Sequence, residues 1–390
     1  MAITVTGLDF TTQQNTIAAQ VENSRWHSQL NWQITAFDRD CHVVELLAMT
    51  NSPTVALYVY TPDAPTTAGN PESKERTTNM AKQWGVGDYR YELAENWPQV
   101  DINGVAADVV GDSAGRIYTV VRDPRADGTF IDITPGTGHM LVFDRDGALL
   151  ETREEGNFSS PHGLWINSDD EIFHADCGHH TVTKYSQSGE TLMTLGTKGE
   201  PGAPGEPFNM CTRATQSRNG DIWISDGYGQ NRVHRFTSNG EHILSFGSGD
   251  PVFVQGWRGE EITGTPGTGP GAFNLPHHVM VDDDDNVYVM DRENNRCQIF
   301  DIEGNYQREW SDVRGANDAV IDSSGVMHCV SAAGLELRTL DGGLVGRWGE
   351  KGEGPGHFTA SPHGVFIDED ESLYVAEVGG NNRLQKFVRV

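Results

Sequence analysis

One short pattern recurs along most of the chain, and this internal repeat limits the possible folds more than any other feature. The unit is an apolar strand, an Asp/Gly turn, a strand that usually ends at an acidic residue, a polar turn and two further strands. Clear copies cover 161–196, 211–247, 276–310 and 362–390, and weaker copies cover 107–149 and 317–348. Four short strands per unit, at a period of about 40–50 residues and without helical periodicity, are typical of a propeller blade. The sequence therefore predicts an all-β fold, a six-bladed β-propeller.

The last copy stops after its third strand, so the ring needs one more strand from elsewhere. The segment YRYELAEN at 89–96 precedes the first copy and is the predicted closing strand, because it would pair backbone groups that an open edge leaves free. We therefore expect the propeller to occupy 86–390. Residues 1–85 do not follow the repeat: several strands precede a Pro/Gly/Ser-rich connection. They predict a small N-terminal β extension that packs on the propeller or mediates oligomerisation.

Charge and composition exclude several classes of partner. The 390 residues include 28 Lys+Arg and 56 Asp+Glu, a formal net charge of −28, which repels phosphate backbones and anionic membrane surfaces. We therefore expect no nucleic-acid partner and no membrane partner. No secretory signal is visible at the N-terminus, and the five cysteines are widely spaced without CxxC pairs. Both features predict reduced thiols and a cytoplasmic location.

Three histidines occupy the same position of the repeat. Alignment of the copies on the end of the second strand makes the following residues equivalent: Ala107, His162, Thr212, His277, Asn317 and His363. Histidine thus falls in blades two, four and six, each time after a proline, where the innermost strand begins at the mouth of the central channel. Turn capping would not restrict histidine to alternate blades. Three imidazoles around the axis predict an open site for a catalytic divalent metal, and zinc, manganese, iron or cobalt could all occupy it.

Two arginines and a tyrosine are predicted beside this trio. Arg122 and Arg292 follow the second strands of blades one and four, and Tyr228 lies one residue further along in blade three. Because a guanidinium binds a carboxylate through two parallel hydrogen bonds, the arginines predict a small anionic substrate. A salt bridge with a neighbouring acidic residue is the alternative for each arginine. Tyr228 is either a general acid or base or a half-buried aromatic residue of the rim.

The motifs PHGLWI, SDGYGQNRV, LPHHVMV, MDRENNRCQIF and SPHGVFI resemble the NHL-repeat propeller of peptidyl-α-hydroxyglycine α-amidating lyase, over about residues 89–390. Enzymes of that family split an N-acyl-α-hydroxyglycine into an amide and glyoxylate. The resemblance implies three zinc ligands and three catalytic residues, which are His162, His277 and His363, and Tyr228, Arg122 and Arg292. It further implies that Tyr228, held as a phenolate by Arg122, takes the substrate's hydroxyl proton as the C–N bond breaks.

The chain also departs from the family's pattern. The family has an aspartate, linked to a structural calcium, after its third histidine, and Gly364 stands there instead, which makes that calcium doubtful here. Gly229 replaces the cysteine of the family's DGYC motif, so no disulfide is expected at that point. Cys177 falls at the arginine position of blade two, and Arg213 lies one residue past the histidine position of blade three, where both could reshape the pocket.

The residues favour a zinc-dependent lyase that cleaves the C–N bond of a small carboxylate-bearing α-hydroxy-amide. Its products would be an amide and glyoxylate or a related carbonyl compound. A metal-dependent hydrolase that attacks an amide, lactone or ring with zinc-bound water needs the same metal, and the sequence does not separate the two. A non-catalytic NHL propeller scaffold is a third interpretation, but it predicts neither the histidine trio nor the arginine pair.

Overall fold

The computed structural model describes residues 32–37, 43–48, 56–60, 82–122, 138–203, 205–248, 253–255, 261–263, 265–379 and 383–390. The chain divides into two compact units, Met1–Thr78 and Asn79–Val390. In the first unit, three strands form an antiparallel sheet: β1 (Trp32–Phe37), β2 (Val43–Ala48) and β3 (Ala56–Tyr60). No helix in the described ranges is both long and apolar enough to cross a membrane.

In the described part of the second unit, six sheets of four or five strands follow one another along the chain, and the prediction of a six-bladed β-propeller is confirmed. Two strands, β4 (Gln83–Val86) and β5 (Tyr89–Leu93), precede the blades. Blade one is β6 (Val105–Gly111), β7 (Ile117–Arg122), β8 (Gly138–Phe143) and β9 (Leu149–Phe158). Blade two is β10 (Pro161–Ile166), β11 (Ile172–Asp176), β12 (Thr181–Tyr185) and β13 (Thr191–Leu195). Blade three is β14 (Arg213–Gln216), β15 (Ile222–Asp226), β16 (Arg232–Phe236) and β17 (His242–Gly247).

The remaining blades continue the same order after a two-stranded sheet of β18 (Phe253–Gln255) and β19 (Glu261–Thr263). Blade four is β20 (Pro276–Val281), β21 (Val287–Asp291), a short 3₁₀ helix (Arg292–Asn294), β22 (Arg296–Phe300) and β23 (Tyr306–Ser311). Blade five is β24 (Asp318–Ile321), β25 (Val326–Ser331), β26 (Gly334–Thr339) and β27 (Leu344–Trp348). Blade six begins with β28 (Ser361–Ile367), β29 (Leu373–Val378) and β30 (Leu384–Arg389).

Blade six is completed by strands from the start of the propeller unit. Its five-stranded sheet has the order β28-β29-β30-β5-β4, and β5 pairs with β30 through Leu93 opposite Phe387 and Tyr91 opposite Arg389. Tyr91 is buried and stacks on Trp348, with the ring centroids 5.7 Å apart. The pairing covers the outer edge of β30. It also places β4 in the propeller unit, although the sequence analysis assigned most of that strand to the linker.

Burial along each blade falls from the inner strands to the outer edge. Every residue of the second strands, β7, β11, β15, β21, β25 and β29, is buried, whereas the fourth strands β13, β17, β23 and β27 are largely exposed or half-buried. Strands buried on both faces are apolar along most of their length, which explains runs such as IWISD and VYVMD. The core lies between neighbouring blades, where Phe143 of blade one and Tyr374 of blade six share a cluster.

The acidic residue at the end of the second strand anchors the segment that enters the innermost strand. In blade two, the carboxylate of Asp176 accepts the backbone N–H groups of Ser159 and Ser160, both at 2.8 Å. Asp291 and Glu377 accept the corresponding backbone N–H groups in blades four and six. Hydrogen bonds to a charged group are stronger than neutral ones. The repeated acid therefore fixes the Pro-His segments that carry the histidines.

Candidate active site at the propeller axis

The three predicted histidines lie together at the axis. One imidazole nitrogen from each of His162, His277 and His363 lies within 4.8 Å of the other two. All three side chains are buried, and the ring centroids are 4.8, 4.7 and 5.0 Å apart. The alternate-blade spacing thus brings three ligand-type nitrogens to one point.

Each histidine stands at an irregularity of the innermost strand. The antiparallel register shifts between Pro161 and Gly163 in blade two, and the same shift recurs around His277 and His363. A bulge leaves one residue unpaired and re-aims its side chain. The bulge therefore turns the imidazole towards the axis.

The main chain of the next blade holds each imidazole in one tautomer. Nδ1 of every histidine of the trio lies close to a backbone carbonyl oxygen at the equivalent position of the neighbouring blade. The pairs are His162 with Thr212 at 2.8 Å, His277 with Asn317 at 2.6 Å and His363 with Ala107 at 2.6 Å. Because a carbonyl oxygen only accepts, Nδ1 carries the proton and donates it. In the neutral ring, Nε2 is then a lone-pair donor, as a metal ligand requires.

Burial keeps these imidazoles neutral. Desolvation lowers the pKa of His162 and His277 well below the usual value for histidine, and it lowers the pKa of His363 to about 3. The positive charge of Arg122 adds to this effect at His363, and that of Arg292 adds to it at His277. The trio therefore presents three unprotonated nitrogens at neutral pH, the state in which histidine binds metals.

The three Nε2 atoms have too few donors around them. The hydroxyl oxygen of Tyr228 lies 3.1 Å from Nε2 of His277 and 3.3 Å from Nε2 of His162, and its single proton can satisfy only one of them. Nε2 of His363 is buried and has no hydrogen-bond partner. Unpaired buried acceptors cost free energy, and one cation would satisfy all three. The donor set therefore fits a metal ion.

Arg292 connects to the trio through Tyr228. Its Nη1 atom lies 3.4 Å from the Tyr228 hydroxyl oxygen, and its guanidinium carbon lies 5.5 Å from the centroid of the tyrosine ring. Nε and Nη2 of the same guanidinium both pair with Glu293 at 2.9 Å. Arg292 therefore makes the salt bridge with Glu293 through one edge of its guanidinium and faces Tyr228 and the site through Nη1 at the other edge.

Arg122 and Cys177 occupy the same repeat position but differ in character. Arg122 ends β7, is buried, and lowers the pKa of both His162 and His363 through its charge. Cys177 donates its Sγ–H to the carbonyl oxygen of Cys211 at 2.8 Å, and burial raises the pKa of its thiol well above the usual value. Cys177 is thus a packed thiol, whereas Arg122 supplies positive charge next to the trio.

Asn317 belongs to the site, although the sequence analysis gave it no role there. Its Oδ1 accepts from Nη1 of Arg292 at 3.4 Å, and its Nδ2 donates to Ser361 Oγ at 2.8 Å and to the Pro362 carbonyl oxygen at 2.9 Å. Its own carbonyl holds His277. The sequence signal for Asn317 was its place at the histidine position of the repeat, which predicts the blade that carries it but not the groups that it contacts.

Comparison with known proteins finds the same resemblance as the motifs. No protein-family model matches the chain. Human NHL repeat-containing protein 3 is 29% identical over 336 residues, which cover 80% of this chain and 88% of that protein. Peptidyl-alpha-hydroxyglycine alpha-amidating lyase 1 of Drosophila melanogaster is 26% identical over 286 residues, covering 72% of this chain and 48% of that protein. The resemblance to the amidating lyases is confirmed.

The extent of that resemblance is partial. Peptidyl-glycine alpha-amidating monooxygenase A of Xenopus laevis is 30% identical over 239 residues, covering 57% of this chain but 24% of that protein. The chain thus spans about a quarter of this monooxygenase and less than half of the Drosophila lyase. Among solved structures, a Xanthomonas campestris gluconolactonase aligns with a TM-score of 0.51 at 14% identity, covering 78% of this chain and 91% of that chain. This structural likeness shows the propeller fold.

Proposed function

We propose that the chain is a zinc-dependent lyase that cleaves the C–N bond of a small carboxylate-bearing α-hydroxy-amide and releases an amide and glyoxylate or a related carbonyl compound. The observation that carries the proposal is the trio of neutral imidazoles, each held in one tautomer, with Nε2 of His162 and of His277 within hydrogen-bond distance of the Tyr228 hydroxyl. Three nitrogen ligands with open positions suit catalytic zinc. The similarity to amidating lyases supports the reaction class.

In this proposal His162, His277 and His363 hold the metal through Nε2. Bound zinc supplies a Lewis acid for a substrate oxygen. Tyr228 lies within hydrogen-bond distance of two of the ligand nitrogens, so its oxygen is placed to take a proton from a substrate hydroxyl near the trio. Nη1 of Arg292 lies 3.4 Å away, so in this proposal Arg292 stabilises the phenolate that acts as the base, the role that the family resemblance implied for Arg122.

The reaction balances without water. The hydroxyl proton passes to Tyr228, the O–H electrons form the carbonyl C=O bond, and the electrons of the broken C–N bond go to the amide nitrogen. That nitrogen then takes up a proton, so the products together have the composition of the substrate. Arg122 is a buried, permanent positive charge beside His363, and we assign it to the substrate's carboxylate.

The proposed partner is accordingly a small anionic molecule rather than nucleic acid or a membrane. The formal charge of −28 is unfavourable for polyanions, so a localised arginine charge is needed to attract an anionic substrate. Oligomerisation through residues 1–85 and a cytoplasmic location stay predictions.

Metal analysis is the first test. We expect about one divalent metal per chain in the wild type and in His174→Ala, and little in His277→Ala. His174 is the matched control because it is also a buried histidine, but it packs on Phe158 and lies outside the trio. Equal metal content in all three proteins would refute the metal site.

Activity is tested with N-benzoyl-α-hydroxyglycine at neutral pH in ¹⁸O-labelled water, with a protein-free control. A lyase yields glyoxylate and unlabelled benzamide, whereas a hydrolase yields benzoate that contains one ¹⁸O atom. Tyr228→Phe should retain the metal and lose at least about a hundredfold in kcat, within the usual range for general acid–base catalysis. Labelled benzoate would show that the chain is a hydrolase and not a lyase. A Tyr228→Phe variant with unchanged kcat would show that Tyr228 takes no part in the reaction.

A further inference from the structure

A second layer of side chains lies at the axis next to the histidines. The residue after the histidine position is Asp108 in blade one, Arg213 in blade three and Asp318 in blade five. All three side chains are buried, at 2%, 7% and 1% exposure. The blades that carry no histidine of the trio thus supply this layer. A small cavity lined by Asp108, Arg213 and the histidine trio connects the two layers.

Arg213 bridges the two carboxylates. Its Nη1 atom hydrogen-bonds to Oδ2 of Asp108 and lies 3.0 Å from Oδ1 of Asp318. His278 of blade four places Nδ1 2.8 Å from the same Asp318 oxygen. Because the guanidinium of arginine is always protonated in proteins, the layer holds one permanent positive charge between the acids of blades one and five.

The other carboxylate contacts are also made within the protein. Asp108 accepts the backbone N–H groups of Val109 at 2.8 Å and Leu164 at 2.7 Å. Asp318 accepts the backbone N–H of Val365 at 2.8 Å through Oδ2. Three of the four carboxylate oxygens therefore accept hydrogen bonds from the protein. The fourth, Oδ1 of Asp318, has no hydrogen bond, but the Arg213 guanidinium lies 3.0 Å from it and stands where a metal ion would have to bind.

In blade six the residue after the histidine is Gly364, and no further ligand for this layer can be placed there. A Cβ atom at Gly364 would lie 2.3 Å from Oδ1 and 2.6 Å from Cα of Asp108, closer than real Cβ contacts. No aspartate can therefore be accommodated at Gly364 without displacing Asp108. The residues do not fit the structural calcium that the family resemblance would suggest, because the oxygen ligand is missing and a guanidinium stands between the remaining carboxylates.

We propose that Arg213 is the built-in cation of this layer. It lies between Asp108 and Asp318 in the place of a second metal ion and balances one of their two negative charges, so that the chain binds one divalent ion, at the histidines alone. The proposal concerns the binding stoichiometry and the stability of the ring, and it does not depend on which reaction the histidine site performs.

Calcium titration of metal-stripped protein, followed by thermal unfolding and equilibrium dialysis, tests the proposal. Wild type should bind no calcium and show no shift in Tm at millimolar calcium. Arg213→Ala leaves two carboxylates beside a vacated volume, so its Tm should fall by several degrees and recover in part with calcium, but not with sodium chloride of equal ionic strength. Arg213→Lys is the matched control, because it keeps a cation and should stay insensitive to calcium.

The outcomes separate clearly. Stoichiometric calcium binding by the wild type, or an equal rise in Tm for wild type and Arg213→Ala, would overturn the proposal. A folded Arg213→Ala variant that calcium does not stabilise would also overturn it, since the carboxylates would then not form a cation layer. If Arg213→Ala does not fold, the wild-type titration and Arg213→Lys decide, because calcium binding by either contradicts a built-in cation.

Discussion

Shortening Asn317 to alanine should reduce catalysis while the metal stays in place. Asn317→Ala keeps the backbone carbonyl that holds Nδ1 of His277, so the ligand tautomer is unchanged. It removes the Oδ1 contact to Nη1 of Arg292 at 3.4 Å and the Nδ2 bonds to Ser361 and Pro362 at 2.8 and 2.9 Å. The guanidinium then loses one of the two groups that direct Nη1, the other being Tyr228.

The magnitude follows from the type of each bond. A hydrogen bond to a charged group contributes about 1.5–3 kcal/mol, and the 3.4 Å distance places this one at the lower end. A loss of about 1.4 kcal/mol in transition-state stabilisation corresponds to a tenfold fall in kcat/KM. The two neutral bonds contribute roughly 1 kcal/mol each, so the free energy of unfolding should fall by about 2 kcal/mol.

Thr212→Ala is the matched control for this substitution. Thr212 occupies the same repeat position in blade three, and its carbonyl holds His162. Its hydroxyl bonds to Ser225 Oγ at 2.7 Å and to the carbonyl oxygens of Ser225 and Pro276 at 3.1 and 3.3 Å, whereas Asn317 contacts Arg292. Removing it costs stability of a similar order, roughly 1–2 kcal/mol, without disturbing Arg292.

The assay combines glyoxylate release, metal content and urea unfolding for the wild type and both variants. We expect equal metal content in all three, comparable losses of stability, and a tenfold loss of kcat/KM in Asn317→Ala alone. Equal kinetic losses in the two variants would refute the positioning role of Asn317 and leave a structural one. If the wild type itself releases no glyoxylate, the proposed reaction fails, and the metal and stability results remain interpretable.

Three further predictions concern the fold. Burial raises the pKa of Asp322, but hydrogen bonds from His328 and neighbouring groups outweigh it and hold this pKa well below its usual range. The stability that the carboxylate contributes is therefore present above about pH 4 and lost on acidification. The Tm difference between wild type and Asp322→Asn should narrow from pH 7 towards pH 3, and a difference that stays constant would contradict this role of Asp322. Tyr91→Ala in the closing strand should cost about 3–5 kcal/mol in urea unfolding, and a cost below about 1 kcal/mol would contradict the stabilising role of closure. Gly364→Ala should lower Tm by crowding Asp108, whereas Gly269→Ala, whose Cβ would meet nothing within 4 Å, should not; equal effects would show that the crowding is relieved.

The fold and the histidine trio were predictable because the propeller converts sequence period into position. Once the repeat defines six blades, equivalent residues lie at equivalent places around the axis, so His162, His277 and His363 had to converge. The predicted closing segment at 89–96 follows from the same geometry, since a ring with a missing strand must take it from elsewhere, and β5 is the strand that pairs with β30.

Contacts between blades were harder to predict. The repeat places Asn317 and Arg213 at the axis, but side-chain directions depend on the bulges and on the neighbouring blade, and these are properties of the packed ring. The division of the Arg292 guanidinium between Glu293 and Tyr228 is of the same kind, because only the packed structure shows which edge each partner takes. The repeat pattern thus predicts which layer at the axis a residue belongs to, whereas the groups that its side chain contacts depend on how the blades pack.

The carbonyl that orients His363 comes from the other end of the propeller. The pairs His162–Thr212 and His277–Asn317 span 50 and 40 residues, whereas His363–Ala107 spans 256. Closing the longer loop costs about 1.5 kcal/mol more than closing the 50-residue one. Two of the histidines are therefore oriented by contacts between neighbouring segments of the chain, and the third by a contact that requires blades six and one to be joined. An ion bound by all three would hold blades six and one together near the axis, as the pairing of β5 with β30 does at the outer edge. Metal affinity under mild denaturant would then report whether the ring has opened.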